Sequence, residues 1–137
     1  MDKNALRKRA GLLLFLSFIF VSGCEKSNEN HGYLAGIITI GPICPVEKIP
    51  PDPGCLPTAE TYKAYPVSVY SSDGKNKIAQ LIPSLNGSYT SEIPAGNYLV
   101  ILEKPQNIIG GSNLPASVSI NSKDTTKLFI NIDTGIR

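Results

Sequence analysis

The sequence predicts an all-β protein: a single seven-stranded β-sandwich with Greek-key connections. Three observations carry that expectation. Beyond residue 32, apolar residues recur at every second position in short runs, the period at which side chains alternate between the faces of a strand. The runs are separated by Gly, Pro and Asn clusters and fall roughly 8–12 residues apart, the spacing of sandwich strands. No segment of the body has the 3.6-residue apolar period of a long amphipathic helix.

The chain has 137 residues, enough for one domain. Its charge divides unevenly. Residues 1–23 carry four basic side chains (Lys3, Arg7, Lys8, Arg9) against Asp2, whereas the rest carry nine Lys/Arg against ten Asp/Glu. The formal charge of +2 therefore belongs to the start of the chain, and the near-neutral body has no electrostatic footprint for nucleic acid. The absence of Trp weakens any reading that rests on stacking sugars or bases. Arg7-Lys8-Arg9, the ten-residue apolar run 12–21 and the small pair Ser22-Gly23 have the layout of a secretory signal, so 1–23 is read as a leader. The apolar run is too short for a bilayer span, which takes roughly 20 residues.

Val21-Ser22-Gly23-Cys24 resembles the lipobox of bacterial lipoproteins, in which an aliphatic residue and two small ones precede a cysteine. The resemblance implies that the leader is cut before Cys24, that the Cys24 thiol carries a diacylglyceryl thioether, and that the new amine is acylated. One acyl chain holds weakly, at about 0.8 kcal/mol per buried CH₂, so two or three make release slow. The other reading is an ordinary secreted protein with Cys24 free or bridged. Residues 24–32 are polar and aperiodic and are read as a lipidated, flexible tether. Position 25 is Glu, and the acidic, Asn-rich start resembles the export signals of surface lipoproteins in Bacteroidetes. The expected address is thus the cell envelope, with a lipid anchor in the outer membrane. The membrane is the expected partner through that lipid, and an envelope protein or a glycan is the candidate second partner. His31, the only histidine, falls in the tether and is read as solvated, since a metal site needs several converging ligands.

The sandwich is expected over 33–137. A β-branched run over 33–40 is the first strand, and Gly36 inside it marks a bulge or a close backbone approach. The segment 41–57 differs in kind: it holds six of the eleven prolines, a density that excludes helix and interior strand. Of three cysteines the lipobox reading consumes one, which leaves Cys44 and Cys55 to pair in an oxidising compartment. Closing so short a ring stabilises by about 3 kcal/mol in the chain-entropy model. A metal site is disfavoured, because the two cysteines lack CxxC spacing and a neighbouring histidine. Two readings of the loop stay open: a stapled connection, or a recognition surface at one end of the sandwich.

Val67 and Val69 alternate with Ser68 and Tyr70 in a second strand over 65–71, Ser72-Asp73-Gly74-Lys75 turns the chain, and 77–82 is a third strand. Asn86-Gly87 is a strong hairpin signal, because a type I′ turn needs positive φ at both central residues. Alternation over 89–93 and 98–102, about the turn Pro94-Ala95-Gly96-Asn97, predicts a hairpin of the fourth and fifth strands. The sixth strand is expected over 116–120 and the seventh over 125–132, with Leu128, Ile130 and Ile132 on one face.

The succession Val67-Ser68-Val69-Tyr70-Ser71-Ser72-Asp73-Gly74-Lys75, then Asn86-Gly87-Ser88-Tyr89, then Ile93-Pro94-Ala95-Gly96-Asn97-Tyr98 is similar to the carboxypeptidase regulatory-like domain. That likeness covers 33–102 and implies a transthyretin-like sandwich with no catalytic residues of its own. Where the family usually has Thr-Asp before its Gly-aromatic step, this chain has Ser84-Leu85-Asn86.

The single histidine rules out a Ser/His/Asp set in the body. Asp73, Glu92, Glu103, Asp124 and Asp133 are scattered over turns and outward strand positions, not paired as a glycosidase requires. The tyrosines read as core or rim residues. No catalytic residue, cofactor or metal is expected. The expectation is a lipid-anchored envelope lipoprotein that is not an enzyme and whose sandwich is a structural or binding module. The alternative is a carbohydrate- or peptide-binding accessory protein of an envelope enzyme or transporter.

Overall fold

The computed structural model describes residues 30–46, 48–103 and 110–137. The leader, Cys24 and most of the expected tether lie outside the described residues. Period-two alternation becomes eight strands: β1 (His31–Gly41), β2 (Val67–Ser71), β3 (Lys77–Leu81), β4 (Ser88–Pro94), β5 (Gly96–Leu102), β6 (Ala116–Ile120), β7 (Thr125–Lys127) and β8 (Ile130–Asp133). They form two sheets. In the first, β1 is central, antiparallel to β4 on one side and parallel to β7 and then β8 on the other. The second runs β3-β2-β5-β6, all antiparallel.

The core lies between the sheets. Leu34, Ile38 and Ile40 of β1, Tyr89 and Ile93 of β4, and Ile130 and Ile132 of β8 meet Val67 and Val69 of β2, Leu81 of β3, Val100 of β5 and Ile120 of β6, all buried. On β3 the inward residues are Ala79 and Leu81, which leaves the larger Ile78 facing outward; Ile82, just past the strand, is 81% exposed.

Several expectations are corrected. The first strand begins at His31, so His31 and Gly32 belong to the sheet and not to the tether; His31 stands opposite Pro94. The seventh strand is two strands, because the chain departs from the sheet at Leu128 and Phe129. The register is the same on both sides of the break, Ala35 opposite Lys127 and Ile38 opposite Ile130. Gly36 explains the break. A Cβ at Gly36 would collide with the Leu128 carbonyl, and that carbonyl accepts a hydrogen bond from the Tyr89 hydroxyl at 2.7 Å. Tyr89 stands opposite Gly36 in β4, so the glycine leaves the room through which the hydroxyl reaches the next strand. This is the close approach expected at Gly36.

The predicted hairpins are also different. The turn over 94–97 joins β4 of one sheet to β5 of the other, and the turn at Asn86-Gly87 carries the chain from β3 to β4, again between sheets. The type I′ turn does not form. Gly87 takes φ +82° but Asn86 does not take positive φ, and its side chain instead accepts from the Ser88 N–H at 3.0 Å. Asn-Gly sets a local bend, but the strands it connects pair wherever their apolar faces are covered. For β4, that is against β1. By contrast the Ser72–Lys75 turn does close a hairpin, of β2 with β3.

One short helix was not anticipated. α1 (Ala59–Ala64) is capped by Thr58, whose hydroxyl accepts from the Thr61 N–H at 3.3 Å while Thr61 Oγ1 accepts from the Thr58 N–H at 3.0 Å. The reciprocal pair satisfies amide donors that a helix start otherwise leaves open.

Candidate functional site

The proline-rich segment after β1 sits at one end of the sandwich. Cys44 and Cys55 are disulfide-bonded, their Cα atoms 5.4 Å apart, so the expected pairing is present. A 3-10 turn at Pro53–Cys55 and a surface ion pair, Lys48 to Asp52 at 3.2 Å, lie within the loop. The chain leaving the loop passes Leu56 and Pro57 into the Thr58 cap. Ile43, Tyr62 and Tyr65 pack against the core and fasten this end to the sheets.

Between the loop and the turn before β4 lies an open groove of about 720 Å³. Its floor is the stretch Ile38, Thr39 and Ile40 of β1. One wall is Leu56, Pro57, Thr58 and Tyr62; the other is Leu85 and Asn86. A second groove of about 520 Å³ continues on the far side of Leu56 and Pro57, among Ile43, Lys48 and Ile49. This end is apolar for a surface: Leu85 is 71% exposed and Leu56 47%, and Ile49 stands fully in solvent. Gly87 holds the groove's edge. Its carbonyl accepts from the Ile38 N–H at 2.8 Å, and a Cβ there would collide with the Ile38 carbonyl.

The charged groups lie elsewhere. On the outer face of the second sheet, the Tyr70 hydroxyl donates to Glu103 Oε1 and Lys77 Nζ lies 3.0 Å from Oε2. The Tyr70 hydrogen bond, helped by Lys77, holds the Glu103 carboxyl below its usual range and pushes the Tyr70 phenol up. Ser68 Oγ lies beneath, close enough to favour the carboxylate but outside hydrogen-bonding geometry, and it has no partner among the described residues. Glu103 is thus bound into a network, contrary to its reading as an isolated acid. Asp73 is held low by the Ser71 hydroxyl, and Asp133 by Arg137 at 2.9 Å. Each of these three acids serves a turn or an ion pair.

Among the described residues no three His, Cys, Asp or Glu side chains come together. The tyrosines do not form an exposed row. Tyr89 is in the core, Tyr62, Tyr65 and Tyr98 pack against it, Tyr70 is tied to Glu103, and Tyr33 alone is largely exposed. Cys24 lies outside the described residues. Residue patterns missed Tyr62 and Leu85 as groove residues. The available signals were the Thr58 cap with Thr61 three residues on, and an apolar Leu85 stranded in the turn cluster Pro83-Ser84-Leu85-Asn86.

No protein-family model matches the chain, and no curated protein matches it in sequence. Among solved structures, the minor pilin GBS52 of Streptococcus agalactiae is similar with a TM-score of 0.51 at 14% identity, over 76% of this chain and 44% of that one. A DUF3823 family protein from Parabacteroides merdae has a TM-score of 0.45 at 15% identity, over 75% of this chain and 46% of that one. The TIE protein of Bacillus anthracis has a TM-score of 0.44 at 15% identity, over 76% of this chain and 16% of that one. The chain spans less than half the length of each of these structures. At such identities the likeness to the pilin speaks for the fold alone: this chain is a β-sandwich.

Proposed function

We propose that the protein is a lipid-anchored, non-catalytic binding module of the cell envelope, held by acyl chains on Cys24 at the outer membrane. The observation that carries this reading is where the chain enters the sandwich. Asn30 accepts from the Ala95 N–H at 2.6 Å, and the His31 carbonyl from the Lys123 N–H at 2.7 Å, so the N-terminal segment arrives among the β4–β5 and β6–β7 turns. The disulfide loop and the groove are at the other end of β1. Eleven residues of strand put those two ends roughly 35 Å apart. An anchor just upstream of Asn30 then holds one end near the lipid and points the apolar groove away from it.

The finer fold assignment, a Greek-key, transthyretin-like sandwich of the carboxypeptidase regulatory-like type, belongs to the same proposal. The residues that carry the resemblance do structural work here: Gly87 bends into β4, Tyr89 crosses Gly36, and the Tyr98 hydroxyl donates to the Pro94 carbonyl at 2.8 Å.

Fractionation of expressing cells tests the anchor. The wild type should partition with membranes, and intact mass should give residues 24–137 plus acyl chains. Cys24→Ser should become soluble; tight membrane association of that variant overturns the reading. Of the accessory-protein alternatives, peptide binding is favoured by the apolar groove. A glycan platform has no row of exposed tyrosines to support it.

A further inference from the structure

We propose that the tip of the disulfide loop, 48–53, is itself a ligand: a prearranged, apolar, polyproline-type segment that a partner protein takes into an aromatic-lined groove. The proposal rests on the reading of this protein as a binding module and names the partner's chemistry.

As a connection, the tip is superfluous. The loop leaves at Cys44 and returns at Cys55 with Cα atoms 5.4 Å apart, so the ten residues between them carry the chain almost no distance from β1 towards α1. They add nothing to the core either: every described residue of 45–54 is exposed. Among the described residues the backbone of this stretch makes one hydrogen bond, Cys55 N–H to the Asp52 carbonyl at 2.8 Å, and that bond lies inside the loop. Yet this excursion places Val46 at 70% exposure and Ile49 wholly in solvent. Apolar side chains gathered on a projection that neither connects nor packs mark an interaction site.

The excursion is also held in shape. Pro45, Pro50, Pro51 and Pro53 each have φ locked at about −65° by the ring. Asp52 takes φ −60° and ψ 138°, the polyproline II region. The disulfide closes the ring, and Lys48 to Asp52 at 3.2 Å clasps the tip across Ile49, Pro50 and Pro51. Docking such a segment orders little, so it keeps the affinity that a flexible loop would lose.

The partner's chemistry follows from what the tip lacks. Pro50, Pro51 and Pro53 have no N–H, so the tip cannot pair along a sheet edge. Its described charges, Lys48 and Asp52, neutralise each other. What it offers is proline rings, a free Ile49 side chain and carbonyls in polyproline geometry, the surface that aromatic-lined grooves receive. A bilayer could also take an apolar tip. However, the chain enters the sandwich at the other end of β1, roughly 35 Å away, which keeps the tip off the lipid that anchors it.

Photocrosslinking in solubilised envelopes of the producing cells, with the full lipidated protein, tests this. A diazirine side chain in place of Ile49 should give one discrete protein adduct. The same group in place of Phe129, an exposed apolar position away from the loop, should give none. Mass spectrometry should place the adduct in a Tyr- or Trp-lined segment of the partner. The disulfide-closed peptide 44–55 should compete the adduct away. The reduced peptide, or the closed peptide with Ile49→Asp, should need at least about tenfold more. An adduct with lipid, an adduct with a second copy, or equal competition by the reduced peptide would overturn the proposal. An adduct from position 129 alone would discard the tip and leave a binding module; none from either position would overturn both. The Cys24→Ser protein added to the same envelopes should give the same adduct, so an anchor failure and a tip failure are told apart.

Discussion

The two halves of β1 are built from the same kind of residue and end in opposite states. The first half is closed on both sides: β4 lies antiparallel to it from His31 to Ile37, and β7 parallel to it from Tyr33 to Ala35. The second half has the same inward alternation, Ile38 and Ile40 in place of Leu34, yet it is paired only with β8. What differs is the neighbour. Tyr89 closes the first half, with its hydroxyl passing Gly36 to the Leu128 carbonyl. At the second, Gly87 ends the pairing with β4 by turning the chain out of the sheet. Alternation makes a strand; it does not say how many partners that strand will have.

The closed half should be the more fragile to substitution. Gly36→Val forces a side chain into the Leu128 carbonyl and should cost more than about 3 kcal/mol, read as a large drop in Tm or failure to fold. A wild-type Tm would mean that β1 and the β7–β8 chain are farther apart than described. At the loop end, Cys44→Ser with Cys55→Ser should lower stability by about 3 kcal/mol, and reductant should reproduce the loss in the wild type. The double variant should also loosen the Leu56 wall while leaving Tyr89 buried, so near-ultraviolet tyrosine signals should change little beyond Tyr62 and Tyr65.

Tyr89→Phe leaves a half-buried carbonyl without its donor and should cost about 1–2 kcal/mol. The same residue supplies a pH signature. Burial pushes its phenol up to about 12, above an ordinary value near 10. The folded state therefore holds the proton longer than the unfolded state. The stability this contributes is complete below pH 10 and is lost as pH rises to about 12, by about 2 kcal/mol. Wild-type urea midpoints should fall through that window, and those of Tyr89→Phe should fall less. The smallest effect should come from Glu103→Gln on the outer face of the second sheet, under about 1 kcal/mol, because Lys77 is partly solvated and salt screens the pair.

Much of the architecture was legible in the residue pattern because it is local. The run 116–120 is a strand as expected, the Ser72–Lys75 turn closes a true hairpin, and the cysteine pair staples the loop. The turns at Asn86-Gly87 and Pro94–Asn97 are where they were expected, but both cross between sheets. A turn propensity reports the backbone angles of two or three residues; it carries no information about which distant face will cover the strand that follows. The break at Leu128 was illegible for the same reason. It depends on Gly36 and Tyr89, far away in the chain. The groove was partly legible: the loop 41–57 was a candidate surface, whereas Tyr62 and Leu85 were not, since only the folded chain brings α1 and the β3–β4 turn to the end of β1.

By itself the sequence determined the class of fold, the positions of its bends and the stapled loop, because period-two alternation, Gly/Pro/Asn chemistry and two spare cysteines act through neighbouring residues. Only the tertiary structure decided which strands pair, where the last one breaks and where β4 parts from β1. Those outcomes are set by apolar faces and backbone groups that meet across most of the chain's length, where no local preference reaches.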